Sequence, residues 1–118
     1  MLRTTLITLA MTLAAACTAP PPAAPSSPQA TAAMACEQKG GTLRPVGRMQ
    51  TLQCVVRYSD AGKACTSGEQ CQGDCRMTVE QAPPEGAPAA GICQATSDRF
   101  GCYTTVQNGR AEPTICVD

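Results

Sequence analysis

Eight cysteines between Cys36 and Cys116 constrain the fold of this chain more than any other feature of its sequence. Few large apolar side chains accompany them: aromatic residues make up 3% of the chain and tryptophan is absent. A small domain with so thin a core usually needs cross-links. Each disulfide contributes about 2–4 kcal/mol, so four are comparable to the whole net stability of a small domain, about 5–15 kcal/mol. We therefore expect a disulfide-stapled domain that unfolds or becomes molten when it is reduced.

The ninth cysteine, Cys17, lies outside that domain, directly after an apolar leader. Residues 1–16 carry one positive charge, Arg3, followed by an uncharged apolar run that ends in three alanines. This arrangement is typical of a secretory signal peptide. The run is shorter than the ~20 apolar residues that span a bilayer. The leader therefore predicts export, and we expect no transmembrane helix in the mature chain.

The residues Leu13-Ala14-Ala15-Ala16-Cys17 resemble a bacterial lipobox, which implies that a diacylglyceryl group is attached to the Cys17 sulfur and that the leader is cleaved before it. Ala14 departs from the family pattern, which usually has leucine there. Cleavage of an ordinary signal peptide, giving a periplasmic or secreted protein, is the alternative. Lipidation is favoured because it leaves an even number of cysteines to pair. Thr18 is not the aspartate of inner-membrane retention, so the resemblance implies the outer membrane.

A proline- and alanine-rich segment without charge follows, and with Cys17 it covers residues 17–35. Proline favours an extended polyproline II conformation, which would reach about 55 Å at ~3.1 Å per residue. We expect this segment to be a tether that holds the domain away from the membrane. Residues 32–39 favour one short helix, and Gly40 is well placed as its C-terminal cap.

Residues 36–118 are expected to form one small, mainly β domain of short strands and hairpins. The first two strands are predicted at residues 42–46 and 49–58, paired across a turn near Gly47. Alternate residues of the second strand are apolar, which predicts one buried face. That face would carry Leu52, Cys54, Val56 and Tyr58.

The second half of the domain is predicted to contain further short strands and one hairpin. The strands are expected at residues 76–80, 90–95, 103–107 and 110–117. Residues 81–91 between the first two of them are rich in proline, glycine and alanine and predict a mobile surface loop. Asn108-Gly109 between the last two is a strong hairpin signal. Pro113 indicates an edge strand or a bulge.

The cysteines of the domain are expected to form four disulfides, and they are Cys36, Cys54, Cys65, Cys71, Cys75, Cys93, Cys102 and Cys116. The chain has no histidine and no CxxC pair, which are usual features of zinc sites and redox-active dithiols. We therefore expect neither a metal site nor a cofactor. Eight cysteines allow on the order of 100 pairings. Cys65, Cys71 and Cys75 are closely spaced, and at least one must pair outward, with Cys93 as a candidate.

Two further pairings have geometric support. A bridge between Cys36 and Cys54 would fix the first helix to the strand beside it. A bridge between Cys102 and Cys116 would close the base of the Asn-Gly hairpin. The second one requires a bulge at Pro113, because a simple two-residue turn leaves these cysteines out of register.

Two segments of the domain resemble parts of known Cys-rich proteins. The opening CEQKGGTL, residues 36–43, followed by a cysteine after a short strand, resembles the start of uncharacterised Cys-rich bacterial envelope domains. The stretch GKACTSGEQCQGDC, residues 62–75, resembles the Cys-turn-Cys loops of small secreted modules. These resemblances imply an envelope protein and bring no catalytic residues with them.

The residues that carry common enzyme chemistry are largely missing. Without histidine the chain lacks the usual general base, and no nucleophile or phosphate-loop motif occurs. The acidic residues are scattered and are expected in turns and on the surface: Asp60, Glu69, Asp74, Glu80, Glu85, Asp98 and Glu112. Glu69 and Asp74 could meet a calcium ion, but their spacing matches no EF-hand. The formal net charge is zero and no basic stripe exists, which argues against a nucleic-acid partner.

The function favoured by the sequence is therefore a non-enzymatic envelope module that binds a protein partner or has a structural role. Residues 81–91 and the Asn108-Gly109 tip are its expected contact points. A protease inhibitor is one alternative, with Lys63 or Arg76 entering a trypsin-like pocket. A small hydrolase is a further and weaker alternative. The sequence leaves the oligomeric state open.

Overall fold

The computed structural model describes residues 19–22 and 27–118, and its folded part is small and mainly β. Within these residues there are one α-helix, seven strands in two sheets and four disulfides, which confirms the expected fold class. The elements are α1 (Pro28–Gln38), β1 (Gly41–Val46), β2 (Thr51–Val56), β3 (Ala64–Cys65), β4 (Cys75–Met77), β5 (Gly91–Cys93), β6 (Gly101–Gln107) and β7 (Arg110–Val117). Two short 3-10 helices cover Gly68–Gln70 and Val79–Gln81. In the described part of the chain, no helix has the length and apolar character needed to cross a membrane.

Helix α1 begins earlier than the sequence pattern indicated. The hydroxyl of Ser27 caps its N-terminus by accepting a hydrogen bond from the N–H of Ala30 at 3.2 Å. Pro28 occupies the first turn, where its missing N–H costs no hydrogen bond. Residues 28–31, which we expected to belong to the extended tether, are therefore helical together with the predicted helical residues that follow them. The Ser-Pro start is a stronger signal than the run of alanines on which the prediction was based.

The end of α1 lies where it was expected, at the double glycine. Gly40 has φ 73°, and its N–H donates to the carbonyl of Glu37 at 2.9 Å. Glycine adopts this left-handed conformation without steric cost. Cys36 is the buried residue of the helix, so its disulfide is the main attachment of α1 to the rest of the fold.

Strands β1 and β2 form the predicted first hairpin, antiparallel across a turn at Gly47. The predicted buried face is wrong in part. Leu52, which was expected to be buried, is 44% exposed, whereas Val55 on the opposite face is 8% exposed. Cys54 is half-buried beside the helix. Strand β2 has protein neighbours on both faces, so its apolar alternation does not mark a single buried side.

The second sheet has the strand order β3-β5-β4-β6-β7, with every neighbouring pair antiparallel. Strands β4 and β5 are shorter than predicted, because residues 79–81 turn into a 3-10 helix and pairing ends at Cys93. The outer hairpin, β6–β7, is confirmed. Its turn residues Asn108 and Gly109 have φ 50° and 72°, the two positive values that a type I′ turn requires.

A bulge in β7 sets the register of this hairpin. The pairing shifts between Thr104 and Val106, where β7 has one residue more than β6. The extra residue lies at positions 112–113, where the sequence predicted it. This shift places Cys102 directly opposite Cys116.

The segment of residues 81–91, expected to be a mobile loop, is fixed along the start of β7. The N–H of Ala111 donates to the carbonyl of Ala87 at 3.0 Å, and the N–H of Ala89 donates to the carbonyl of Gly109 at 2.9 Å. Ala89 also packs against the core cluster. The loop therefore acts as an irregular extra strand beside β7, which its composition alone does not show.

The centre of the second sheet is built from disulfides in place of large apolar side chains. Its buried cluster consists of Cys65, Cys75, Cys93 and Val106, each at most 4% exposed. Thr104 is fully buried beside them, and its hydroxyl is hydrogen-bonded to that of Thr114. Bonded sulfur atoms thus fill the volume that leucine or phenylalanine occupies in larger domains.

Candidate functional site

The eight cysteines expected to form disulfides are all paired with one another. The bridges are Cys36–Cys54, Cys65–Cys75, Cys71–Cys93 and Cys102–Cys116. Both pairings that had geometric support are confirmed, and the closely spaced trio pairs outward through Cys71 to Cys93 as expected. Cys17 lies outside the described residues, and none of the described cysteines is left over as its partner.

Two of these bridges lie side by side in the core. The Sγ atoms of Cys65, Cys71 and Cys93 are within 4.8 Å of one another. Among the described residues, this is the one group of three possible metal ligands that comes so close. Each of these sulfur atoms is held in a disulfide, whereas metal binding requires thiolates. In the oxidised protein these sulfur atoms therefore belong to two cross-links, one between β3 and β4 and one between β5 and the end of the first 3-10 helix.

The five-stranded sheet has two faces with different chemistry. Cys75 lies opposite Cys93, whereas Arg76 lies opposite both Ile92 and Thr105. Because neighbouring residues of a strand point to opposite faces, the cysteines share the core face and Arg76 shares the outer face with its two partners. Ile92 is 55% exposed on that outer face. The outer face is thus the accessible side of the sheet.

A broad, open groove of about 850 Å³ lies over the outer face. Arg76, Ile92 and Tyr103 form its floor, and residues 78–80 and 95–100 border it. Val79, at 41% exposed, adds to the accessible apolar surface of Ile92. The groove therefore offers a mainly apolar surface, wide enough for a segment of another molecule.

Arg76 is fixed in the floor of the groove by two neighbours. Its guanidinium stacks on the ring of Tyr103, with 3.6 Å between Cζ and the ring centroid. Its Nη2 and Nε atoms donate to Oδ2 of Asp74 at 2.8 and 3.2 Å. The side chain is only 13% exposed. Arg76 is therefore held within the protein, and of the two residues considered for a protease pocket Lys63 is the exposed one.

The wall formed by residues 95–100 is held in place by the first hairpin. Backbone hydrogen bonds join residues 95–97 to the end of β2, and Arg44 donates to Asp98 at 2.9 Å. The ring of Phe100 packs on Gly47, where a Cβ atom would lie 2.6 Å from it. The groove is thus framed by both sheets.

The two predicted contact points lie next to each other at the far end of β6 and β7. The N–H of Ala89 donates to the carbonyl of Gly109 at 2.9 Å, and the N–H of Gly109 donates to the carbonyl of Thr66 at 2.7 Å. Residues 66–70, 86–89 and 107–110 therefore form one surface, which we call the loop end. The sequence did not indicate that these segments are neighbours.

Glu69 gives the loop end a fixed negative charge. The hydroxyl of Ser67, the backbone N–H of Glu69 and the side-chain amide of Gln107 donate to its carboxylate and lower its pKa below the ordinary glutamate value. The side-chain oxygen of Gln107, Oε1, accepts a hydrogen bond from the N–H of Gly68 at 3.1 Å. This network joins the 3-10 helix to β6.

Most of the remaining acidic residues are acceptors for neighbouring protein groups. Their partners are Gln72 for Asp60, Arg76 for Asp74, Arg44 for Asp98 and Thr105 for Glu112. Asp60 accepts the backbone N–H of Gln72 at 2.7 Å, which joins two segments that are distant in the chain. Glu69 and Asp74, considered together for calcium, bind separate partners. These contacts give no support to the hydrolase alternative.

The pairing of Arg76 with Tyr103 was missed at the sequence level. The two residues are far apart along the chain and become neighbours only through the register of β4 on β6. One signal in the sequence could have indicated this contact. Both residues lie in apolar strand segments, and the charged side chain of Arg76 needs a partner there.

Comparisons with protein-family models, with curated proteins and with solved structures find no match to this chain. Its function is therefore inferred from its own residues and geometry. Four disulfides point to an extracytoplasmic protein, because thiols stay reduced in the cytosol.

Proposed function

We propose that this protein is a cell-envelope lipoprotein, anchored through Cys17, whose disulfide-braced domain binds a partner without catalysing a reaction. One observation carries the anchoring: the eight cysteines of the domain pair completely with each other. Cys17 follows an apolar leader and a run of alanines. A lipid on its sulfur accounts for the odd cysteine in an oxidising compartment.

The segment after Cys17 supports this arrangement. Ten residues, of which four are proline and none is charged, separate Cys17 from α1. A polyproline II segment of that length would reach about 30 Å at ~3.1 Å per residue. Thr18 after the cysteine favours the outer membrane over the inner one.

Intact mass spectrometry of the protein extracted from membranes tests the anchor. We expect a chain that begins at Cys17 and carries the mass of a diacylglyceryl and an acyl group, and that lacks eight hydrogens because of its four disulfides. The C17S variant should lose the lipid and leave the membrane fraction. The A14L variant, which restores the usual lipobox residue, should remain lipidated. An unmodified Cys17 in a soluble chain would show that the protein is simply secreted.

The binding role is supported by the groove over the outer face. Among the residues that line the groove, the one cation, Arg76, is paired with Asp74, and the carboxylate of Asp98 is paired with Arg44. An occupant therefore meets apolar surface and no unpaired positive charge. We propose an uncharged, apolar protein segment as the partner.

Chemical-shift mapping with peptides tests this choice of partner. Uncharged apolar peptides should shift amide signals of residues 76–80 and 92–103, whereas acidic or basic peptides of equal length should not. The I92E variant should abolish the shifts. The L52E variant, which changes an exposed leucine on the first hairpin, should retain them. Shifts confined to the loop end would move the binding role there.

A protease inhibitor remains the second candidate because of Lys63. This residue is exposed in a turn, and its carbonyl accepts from the N–H of Cys93 at 2.8 Å, which holds the backbone next to a disulfide. Stoichiometric inhibition of a trypsin-like protease that K63A abolishes and R76A retains would support it. Absence of inhibition at micromolar concentrations would exclude it.

A further inference from the structure

The four disulfides differ sharply in their accessibility to solvent. Three of them contain a buried cysteine: Cys36, Cys75 and Cys93 are 3%, 0% and 1% exposed. In the fourth bridge both residues, Cys102 and Cys116, are exposed. A thiolate reduces a disulfide by attacking one sulfur directly, so access to that sulfur is a condition for reaction. Cys102–Cys116 is the one bridge of the described chain in which both residues are exposed.

The surroundings of this bridge are open. Cys102 and Cys116 face each other directly at the free ends of β6 and β7, with 4.0 Å between their Cα atoms. At the neighbouring Gly101, an added Cβ atom would meet no atom within 4 Å. Cys102 also borders the groove, so a molecule bound there lies next to the bridge.

The hairpin is also held by contacts other than this bridge. Strands β6 and β7 share a backbone hydrogen-bond ladder. The hydroxyl of Thr105 donates to Glu112 at 2.9 Å, and the turn is fixed by the hydrogen bond between Gly109 and Thr66 at 2.7 Å. The two core bridges, by contrast, join separate elements around the buried cluster. Opening the exposed bridge therefore leaves the cross-links of the core intact.

We propose that Cys102–Cys116 is a thiol–disulfide exchange site that accepts two electrons from a dithiol while the other three bridges stay oxidised. A thiolate of the dithiol attacks one sulfur and forms a mixed disulfide, and the other cysteine leaves as a thiolate that takes a proton. The second thiol of the reductant then attacks the mixed disulfide. This releases the first cysteine and leaves the reductant as a disulfide. Two electrons and two protons have passed to the bridge.

The sequence predicted no redox-active pair because it contains no CxxC. In a CxxC motif the two cysteines are close together because they are close in the sequence. Here the register of the hairpin brings together two cysteines that are 14 residues apart. The bulge at residues 112–113 is the feature that makes the pair possible.

Graded reduction with dithiothreitol, a small dithiol, tests the proposal on the exported protein. Samples are quenched with N-ethylmaleimide at increasing times without denaturant, and labelled peptides are mapped. We expect Cys102 and Cys116 to be labelled at least about tenfold faster than any other cysteine. Amide spectra recorded in parallel should retain the signals of the five-stranded sheet when only these two are labelled.

Paired variants serve as controls. The C102S/C116S variant should lose the fast labelling phase, and the C36S/C54S variant should retain it. The same fast phase is expected in the C17S chain, so the outcome is independent of lipid anchoring. Two results overturn the proposal: fast labelling that begins at another bridge, or labelling of all eight cysteines together as the domain unfolds.

Discussion

Gly91 lies where β5 passes close to the backbone of β4. A Cβ atom at this position would lie 2.5 Å from the carbonyl oxygen of Arg76 and 3.2 Å from Sγ of Cys75. The Arg76 oxygen belongs to the backbone, so it cannot rotate away as a side chain would. The absence of a side chain at Gly91 is therefore what allows β5 to pack against β4.

Replacing Gly91 with alanine should lower the free energy of unfolding by about 1–3 kcal/mol, the usual cost of forcing atoms into a filled space. Urea denaturation measures this. Gly68→Ala is the matched control, because its Cβ would lie 3.5 Å from the nearest atom, Oε1 of Gln107. Equal losses in the two variants would contradict the steric explanation.

Glu69 makes the free energy of unfolding of the protein depend on pH. Hydrogen bonds from Ser67, its own N–H and Gln107 lower its pKa in the folded state, so the folded protein binds this proton more weakly than the unfolded chain. The contribution is complete above the ordinary glutamate pKa, about 4.3, and is lost as the pH falls through the lowered value. Acid should therefore weaken the loop end.

The E69Q variant tests this dependence through urea midpoints measured from neutral pH downward. We expect the wild type to exceed E69Q by a margin that is largest above about pH 4.3 and shrinks at lower pH. E85Q, which alters an exposed side chain with no hydrogen bond in the structure, should show no such trend. A margin that stays constant with pH would rule out Glu69 as the source.

At the scale of elements, the stability of α1 depends on the capping interactions at its two ends. It buries little besides Cys36, so packing contributes little to its stability. Its boundaries are determined by the Ser27 cap and by Gly40. The sequence predicted the second boundary and missed the first, because helix propensity was considered without the capping side chain.

Ser27→Ala should therefore fray the first turn of α1 at a cost of about 0.5–2 kcal/mol. Amide hydrogen exchange at Ala30 and Thr31 is the appropriate measurement, since the effect is local. Ser27→Asn keeps a capping side chain and should keep the protection. Loss of protection in both variants, or in neither, would contradict the role of the cap.

On the scale of the whole molecule, the five-stranded sheet and helix α1 depend on different disulfides. Cys71–Cys93 and Cys36–Cys54 close loops of similar length, with sequence separations of 22 and 18 residues. Chain entropy alone would give each bridge about 3 kcal/mol. The two bridges differ in position. Cys71–Cys93 is part of the buried cluster through Cys93, whereas Cys36–Cys54 attaches α1 to the first hairpin.

We therefore expect C71S/C93S to lose the five-stranded sheet, and C36S/C54S to free α1 while the sheet stays folded. Dispersion of the amide signals in a two-dimensional NMR spectrum distinguishes these results. Complete reduction should collapse the dispersion of the whole domain. If both variants gave the same spectrum, the division into a core and an attached helix would be incorrect.

The class of the fold, the Asn-Gly hairpin with its bulge and the end of α1 could all be predicted from the sequence. Each of these follows from local chemistry: the number of cysteines, a turn that requires two positive φ angles, and a glycine in the left-handed region. The sequence also indicated the outward pairing of the trio, because three cysteines cannot pair among themselves.

The surfaces of the protein, by contrast, could not be predicted without the three-dimensional arrangement of the strands. The groove over Arg76 and Tyr103, the contact of residues 81–91 with β7, and the exposure of Cys102 and Cys116 all depend on register and on the order of strands in the sheet. Residues distant in the chain become neighbours through pairings that no local preference specifies. For the same reason, cysteines that look alike in the sequence become a buried core in one place and an accessible bridge in another.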